Sequence, residues 1–391
     1  VDISAAPTIT AAVPGSFEWD VFHERHPKLI RQVLDSSPYT LAEEAKLQQL
    51  LDESTTGVLA PLPETAHDRQ EWLVWGEHLY GRPWGEVPFL WSESYFYRRL
   101  LGALGYFGTG TWRGIDPFAP AKNAELTGPE VDRELSAFAD LADASDDRRH
   151  EALLVAALWG NRADLSFQLQ LNTAGADAPS EGILVDDSAL LWSALTSRDN
   201  PVVCVVADNA GRELLADLVL ADSLLSRRLA AEIVLYVKPY PYYVSDATMA
   251  DVLSVIGRLR AEFRPQLSRI GDRLWAAVRS GRLQVRTHKF FCAPLAFHDM
   301  PDDLAAEFAT ATVTVMKGDL NYRRLVGDRY WPATTPFDHT VDYFPSAVTA
   351  LRTLKSEVVV GLTTEQLAGL DESGQPWRTS GRHALIQVHE P

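Results

Sequence analysis

The chain has 391 residues, 46% hydrophobic and 23% charged, which excludes wholesale disorder. Lys plus Arg number 36 and Asp plus Glu 53, a formal charge of −17. That charge repels polyanions, so neither nucleic acid nor a membrane surface is an expected partner, and no run approaches the roughly 20 apolar residues of a spanning helix.

Residues 1–16 are small, polar and broken by Pro, and they read as a flexible lead-in. They hold no basic stretch followed by an apolar core, so they do not read as a signal peptide. From Phe22 to Leu51 the period is helical, with Leu29, Ile30, Val33 and Leu34 on one face. Between Trp72 and Leu104 the density of aromatics predicts core. Glu93, Arg98 and Arg99 interrupt it; such charges either pair internally or line a pocket. Residues 106–125 read as a long loop, and 128–159 return to helix with acidic residues facing solvent. Residues 17–160 are therefore expected to form a helical N-terminal domain.

Residues 161–391 change period and are expected to form an α/β catalytic domain. Short β-branched runs alternate with helical segments: 182–185, 202–206, 233–237, 313–315, 357–360 and 384–388. Continuous apolar runs separated by helices predict a mostly parallel sheet buried on both faces. The fold class is α/β: a mainly helical N-terminal part, then a doubly wound, mostly parallel α/β/α sheet. Cys204 and Cys292 sit among apolar residues and read as buried free thiols, which suits a reducing cytoplasm.

In an open parallel sheet, ligands bind at the carboxyl ends of the strands. Three runs here deliver polar loops to that edge: Asp208-Asn209-Ala210-Gly211, the segment ending in Asp246, and Lys317 to Arg323. Asp208, Asn209 and Asp246 are hard oxygen donors suited to Mg, Mn or a similar divalent ion. Arg323 can fork onto phosphate, and Gly211 can open a helix N-terminus to an anion. Arg352-Thr353-Leu354-Lys355 adds a point charge, although it precedes the 357–360 run and so lies at the wrong end of that strand. A metal beside cationic donors points to phosphoryl chemistry.

These segments resemble the damage-control phosphatases, long called domain of unknown function 89. The resemblance rests on Asp208 to Gly211, Lys317-Gly318-Asp319-Leu320-Asn321-Tyr322-Arg323, the Asn161 to Ser166 block and the Arg352 to Lys355 block. The Arg-Thr-x-Lys pattern is similar to that of the subgroup containing the acidic-residue methyltransferase-like proteins. The resemblance implies one divalent metal ion (Mn, Co, Ni or Mg) on Asp208, Asn209 and Asp246. It implies that Asp319, Leu320, Asn321, Tyr322, Arg323 and Lys355 contact the phosphate and sugar of a small phosphorylated metabolite. Asp208, Asn209, Asp246 and Lys355 are then the catalytic set, with Asn161, Asp164, Gly211, Glu213, Lys317, Arg352 and Glu93 as further pocket candidates. The implied activity is metal-dependent hydrolysis of sugar phosphates or damaged phosphometabolites, with the attacking water deprotonated by Asp208 or Asp319. The alternative is an S-adenosylmethionine-dependent carboxyl methyltransferase, in which Glu213 and Asp246 contact the methyl donor. A third reading is a sugar-phosphate sensor without turnover. Direct water attack and an aspartyl-phosphate intermediate both stay open, and no motif specifies an oligomeric state.

Overall fold

Alternating apolar residues on extended segments must bury both faces, and the sheet does so. The computed structural model describes residues 5–141, 144–160 and 182–391. Its strands are β1 (Ile183–Asp186), β2 (Val202–Val206), β3 (Glu232–Val237), β4 (Leu283–Thr287), β5 (Val313–Lys317), β6 (Ala347–Thr353) and β7 (Ala384–His389). They form one sheet in the order β1-β7-β6-β5-β2-β3-β4. Strands β2 to β6 are parallel neighbours, whereas β7 runs antiparallel to β6 and parallel to β1. The chain winds outward from β2 through β3 to β4, then returns to β5 on the other side of β2. The β2/β5 boundary is thus the topological switch point, where a crevice opens above the carboxyl ends.

The period-two alternation sorts residues by face. Val203, Ile233, Leu235 and Val315 pack with the helices 129–140, 146–159, 212–226, 249–260 and 265–280. Cys204, Val206, Tyr236 and Met316 point the other way and join a core with the N-terminal aromatics Trp72, Phe89 and Tyr95. The helices before residue 160 thus share their cores with the sheet instead of enclosing one of their own. Both cysteines are free and buried. Among the described residues no helix is long and apolar enough to cross a membrane.

Three expectations need correction. The described part of the lead-in, residues 5–16, is pinned: Ile9 and Ala11 lie in the core, and the backbone bridges Thr8 to Arg329 and Thr10 to Pro88. The expected loop 106–125 ends in a helix, Ala119–Glu125. The 357–360 run is not a strand. Val358, Val359 and Val360 are buried on irregular chain whose polar groups bond side chains: Arg352 donates to the Val358 carbonyl, and the Val360 N–H donates to the Tyr322 hydroxyl at 3.2 Å. The strand is β6, upstream, so Arg352 to Lys355 follow their strand and reach the same edge as the other loops.

Candidate active site

Each loop at this edge is fixed by its strand. After β2, the backbone of Asn209 bridges that of Asp246, which lies beyond β3. The Ala247 N–H donates to the Asp208 carbonyl at 2.8 Å, and the Ala210 N–H to the Ser245 carbonyl at 2.6 Å. Two loops 36 residues apart are thereby held together. Asn209 donates from Nδ2 to Asp208 Oδ2 and to Glu213 Oε2, both at 2.9 Å, while Ser245 donates to Asn209 Oδ1 at 2.5 Å. The two carboxylates fix the amide so that its oxygen lies on the Ser245 side. Asp246 is backed by two buried lysines: Lys122 donates to its carbonyl at 2.8 Å, and Lys238 stands 3.6 Å from its Oδ2.

After β5, the chain must turn where it meets the β2 loop. Gly318 takes φ +79°, and a Cβ there would run into the Asp208 carboxylate. Glycine is required for both the turn and the close approach. Asn321 donates to the carbonyls of Ala207 at 3.1 Å and Lys317 at 2.8 Å, stapling the ends of β2 and β5. Asp319 reaches toward β6, where Arg352 Nε (2.9 Å), the Ser356 hydroxyl (3.1 Å) and the Lys355 N–H (3.3 Å) all donate to its Oδ1.

A cleft of about 490 Å³ opens above these loops. Asp208, Asn209, Asp246, Asp319, Leu320, Arg323, Lys355 and Glu93 all line it. The structure therefore brings together residues from positions 93 to 355. Other candidates stand behind the wall. Glu213 and Lys317 form a buried pair at 3.4 Å, with Asp217 3.1 Å from the same ammonium. Arg352, Asn321 and Tyr322 are buried and brace the loops, Tyr322 by donating to Gln387 at 3.0 Å. Gly211 does not open an anion site: its φ is +69°, and a Cβ there would strike the Glu125 carboxylate that covers the helix start. Asn161 and Asp164 lie outside the described residues.

The fork of Arg323 is also spoken for. It donates to Asp328 at 2.6 and 3.2 Å, and its remaining end meets Glu93 at 3.3 Å. The ammonium of Lys355, by contrast, has no hydrogen-bond partner among the described residues and faces the cleft. Among the described residues, the Lys355 ammonium and the Arg25 guanidinium are cleft cations with no hydrogen-bond partner, free to meet a phosphate.

Burial dominates the electrostatics. It pushes the Asp208 carboxyl well above its usual range, and the charges of Glu213 and Asp246 push it further. Burial likewise raises Asp246, against the pull of Lys238 and Lys122. Burial raises Glu93 to about 7 despite Arg323. Asp319 is opposite: burial would raise it, but the charges of Arg352 and Arg323 outweigh that and hold it low. Carboxylates crowded at one cleft favour a bound cation. Among the described residues Asp246 Oδ2 accepts no hydrogen bond, with only the Lys238 ammonium 3.6 Å away. Two carboxylates and an amide oxygen suit a hard divalent ion that keeps positions for water and substrate. Among the described residues, no group of three or more His, Cys, Asp or Glu could hold a metal, so any ion here would rest on this mixed set.

Sequence reasoning missed the roof. Phe17, Val21, Arg25, His26 and Lys28 line the cleft from the helical segment 17–36. Arg25 and Lys28 are basic residues beside the apolar face of that segment, the one available signal. His26 is buried, and burial lowers its pKa to about 3, with the Arg25 charge adding to the shift. Its ring stacks on Phe96 at 3.6 Å.

Comparison with known proteins now adds to this geometry. Residues 21–370 match the family model described as the damage-control phosphatase ARMT1-like domain. The chain is 30% identical over 437 residues to damage-control phosphatase ARMT1 of Danio rerio, covering 98% of this chain and 97% of the relative. The human protein of the same name is 29% identical over 441 residues, covering 96% and 97%. Among solved structures, a DUF89 family protein from Pyrococcus horikoshii superposes with a TM-score of 0.50 at 14% identity, covering 94% of this chain and 97% of that one. That likeness bears on the fold alone.

Proposed function

We propose, from the premise that this chain belongs to the ARMT1-like damage-control phosphatase family, that its cleft hydrolyses a small phosphomonoester with the aid of one divalent metal ion. Membership makes the protein an enzyme of the phosphatase kind; the metal, the substrate class and the residue roles are our reading. The observation that supports it most is the crowding of Asp208, Asn209 and Asp246, from the loops after two different strands, at one cleft beside Lys355, whose ammonium has no hydrogen-bond partner among the described residues.

Asp208, Asn209 and Asp246 would hold the ion. When bound, it supplies a Lewis acid for a phosphate oxygen and lowers the pKa of a bound water. Lys355 offsets phosphate charge as a point cation. Asp319 is committed to Arg352, Ser356 and the Lys355 N–H, so it fixes the Lys355 loop instead of acting as base. That leaves Asp208 as the carboxylate placed to take a proton from water. Glu213 and Lys317 act through Asn209, keeping its amide oriented. Leu320, Tyr97 and Tyr243 give the cleft an apolar wall, and Glu93, held by Arg323, offers a carboxyl group to a sugar-like body. Only a small metabolite fits this volume.

The geometry divides the methyltransferase reading, since Asp246 lines the cleft but Glu213 does not. Glu213, which that reading puts on the methyl donor, is turned to Asn209 and Lys317 behind the wall. The test is a panel of phosphate esters assayed with Mg, Mn, Co and Ni. We expect release of phosphate that depends on the metal. No hydrolysis of any ester with any of the four ions would overturn the proposal.

A further inference from the structure

A second cavity, of about 580 Å³, lies in the N-terminal helical layer and shares no lining residue with the cleft. Both flank one helix, Phe89–Ala103: Glu93 and Tyr97 face the cleft, whereas Arg98, Arg99 and Gly102 face the second cavity. The chain carries 53 acidic residues against 36 basic ones. Yet this lining holds Lys46, His67, Arg98 and Arg99, and no Asp or Glu.

The carboxylates that balance these groups sit outside the lining. Asp68 takes the Nε and one end nitrogen of Arg98 at 2.6 and 2.5 Å, and Glu53 takes one nitrogen of Arg99 at 2.7 Å. Arg98 is only 4% exposed and lies over the Phe107 ring, 4.2 Å from its centre. Its Nη1 is left without a hydrogen-bond partner among the described residues. The helix leaves room beside it, because a Cβ on Gly102 would stand 3.2 Å from that nitrogen. That nitrogen is not among the buried polar atoms left without a partner, so it opens onto the cavity, where an anion can accept from it. Lys46, exposed on the Leu41–Thr56 helix, donates no hydrogen bond among the described residues; Glu43 one turn before is the carboxylate near it. The lining also holds apolar residues beside these donors: Leu50, Leu62, Pro63 and Phe107.

We infer that this cavity is a second ligand site, for a small organic anion with an apolar body and a single phosphate- or carboxylate-type head. Its head accepts from Arg98 Nη1 and Lys46, and its body lies against Leu62 and Phe107. Because the nearby carboxylates already balance much of the charge, the site offers directed donors more than net attraction. That favours a hydrogen-bonding head on a hydrophobic group over a bare polyanion.

The test is calorimetric titration of the full-length protein with phenylphosphonate and, separately, with benzoate. Three variants are compared with the native chain: Lys46→Glu, Ala103→Leu, which fills the cavity from its rim, and Lys355→Ala in the cleft. We expect at least one of the two anions to bind Lys355→Ala, so that this binding does not belong to the cleft. Lys46→Glu and Ala103→Leu should each weaken it at least about tenfold. Both should leave any ester hydrolysis within about twofold of native. If neither anion binds Lys355→Ala, or if both bind Lys46→Glu and Ala103→Leu as tightly as the native chain, the inference is overturned. An absence of hydrolysis in every protein would overturn the phosphatase proposal while leaving this titration to decide the second site.

Discussion

Asp208 and Asp319 each follow a parallel strand at the same edge, and they meet opposite surroundings. Asp208 is crowded by Glu213 and Asp246 and is pushed toward its protonated form, first by burial and then by those charges. Asp319 is met by Arg352, by the Ser356 hydroxyl and by the Lys355 N–H, and is held ionised against its burial. The first carboxylate is left wanting a cation; the second is a joint between the β5 and β6 loops. One edge of the sheet thus keeps its unsatisfied charge where chemistry is proposed and spends its paired charge on holding the loops still.

The sharpest way to break this contrast is to remove each side of it. Asp246→Ala or Asp208→Ala should lower turnover by about a thousandfold or more, by analogy with the loss of other preorganised charge stabilisation. Thermal denaturation should show no loss of stability for Asp208→Ala, because one of several crowded like charges has gone, and some loss for Asp246→Ala, because buried Lys238 loses the carboxylate 3.6 Å away. A variant that unfolds instead would place that carboxylate with the structural pairs. Arg352→Met should do the reverse. It leaves the Asp319 oxygen and the Val358 carbonyl without their guanidinium, and denaturant unfolding should show a loss of about 3–5 kcal/mol. If stability hardly changes, Asp319 is not the joint described.

A finer probe lies between the two extremes. Glu213 touches Asn209 but not the cleft, so Glu213→Gln should lower kcat by roughly tenfold while the fold persists. It should also weaken activation by metal, which a purely packing role would not do.

The last probe concerns His26, the buried ring of the roof. Folding lowers the His26 pKa from 6.5 to about 3, so below pH 6.5 the unfolded chain binds a proton that the folded one refuses. Stability from this residue is therefore full above 6.5 and is lost as pH falls toward 3, by up to about 1.4 kcal/mol per pH unit. His26→Phe should flatten unfolding free energy against pH in that window. Glu93 has the opposite sign: its folded pKa of about 7 lies above 4.5, so its contribution falls as pH rises between those values.

Much of the floor of the site was legible because local chemistry survives in the sequence. Val202–Val206 and Ile233–Val237 announce buried strands by composition, and polar loops at their carboxyl ends fall at one edge by the rules of parallel sheets. Elsewhere composition misled. The Val358 to Val360 run has the look of a strand, yet its backbone is bonded by Arg352, Tyr322 and Gln387 side chains from distant positions. The true strand, Ala347–Thr353, mixes Thr and Arg among its apolar residues, and Leu283–Thr287 alternates in the same way, so neither stood out. The roof was invisible because the amphipathic segment 26–36 shows which face is buried, not which cleft its other residues overhang. Lys122 was hidden for a related reason: it sits in a stretch rich in breaks and reaches Asp246 from 124 positions away.

The central claim is that Asp208, Asn209 and Asp246 together grip one divalent cation. Electron paramagnetic resonance of manganese titrated into the full chain tests it directly, since free and bound ions give distinct signals. The account predicts one manganese per chain, lost in Asp246→Ala and in Asp208→Ala while circular dichroism stays native. Equal uptake by the variants, or none by the native protein, would contradict it.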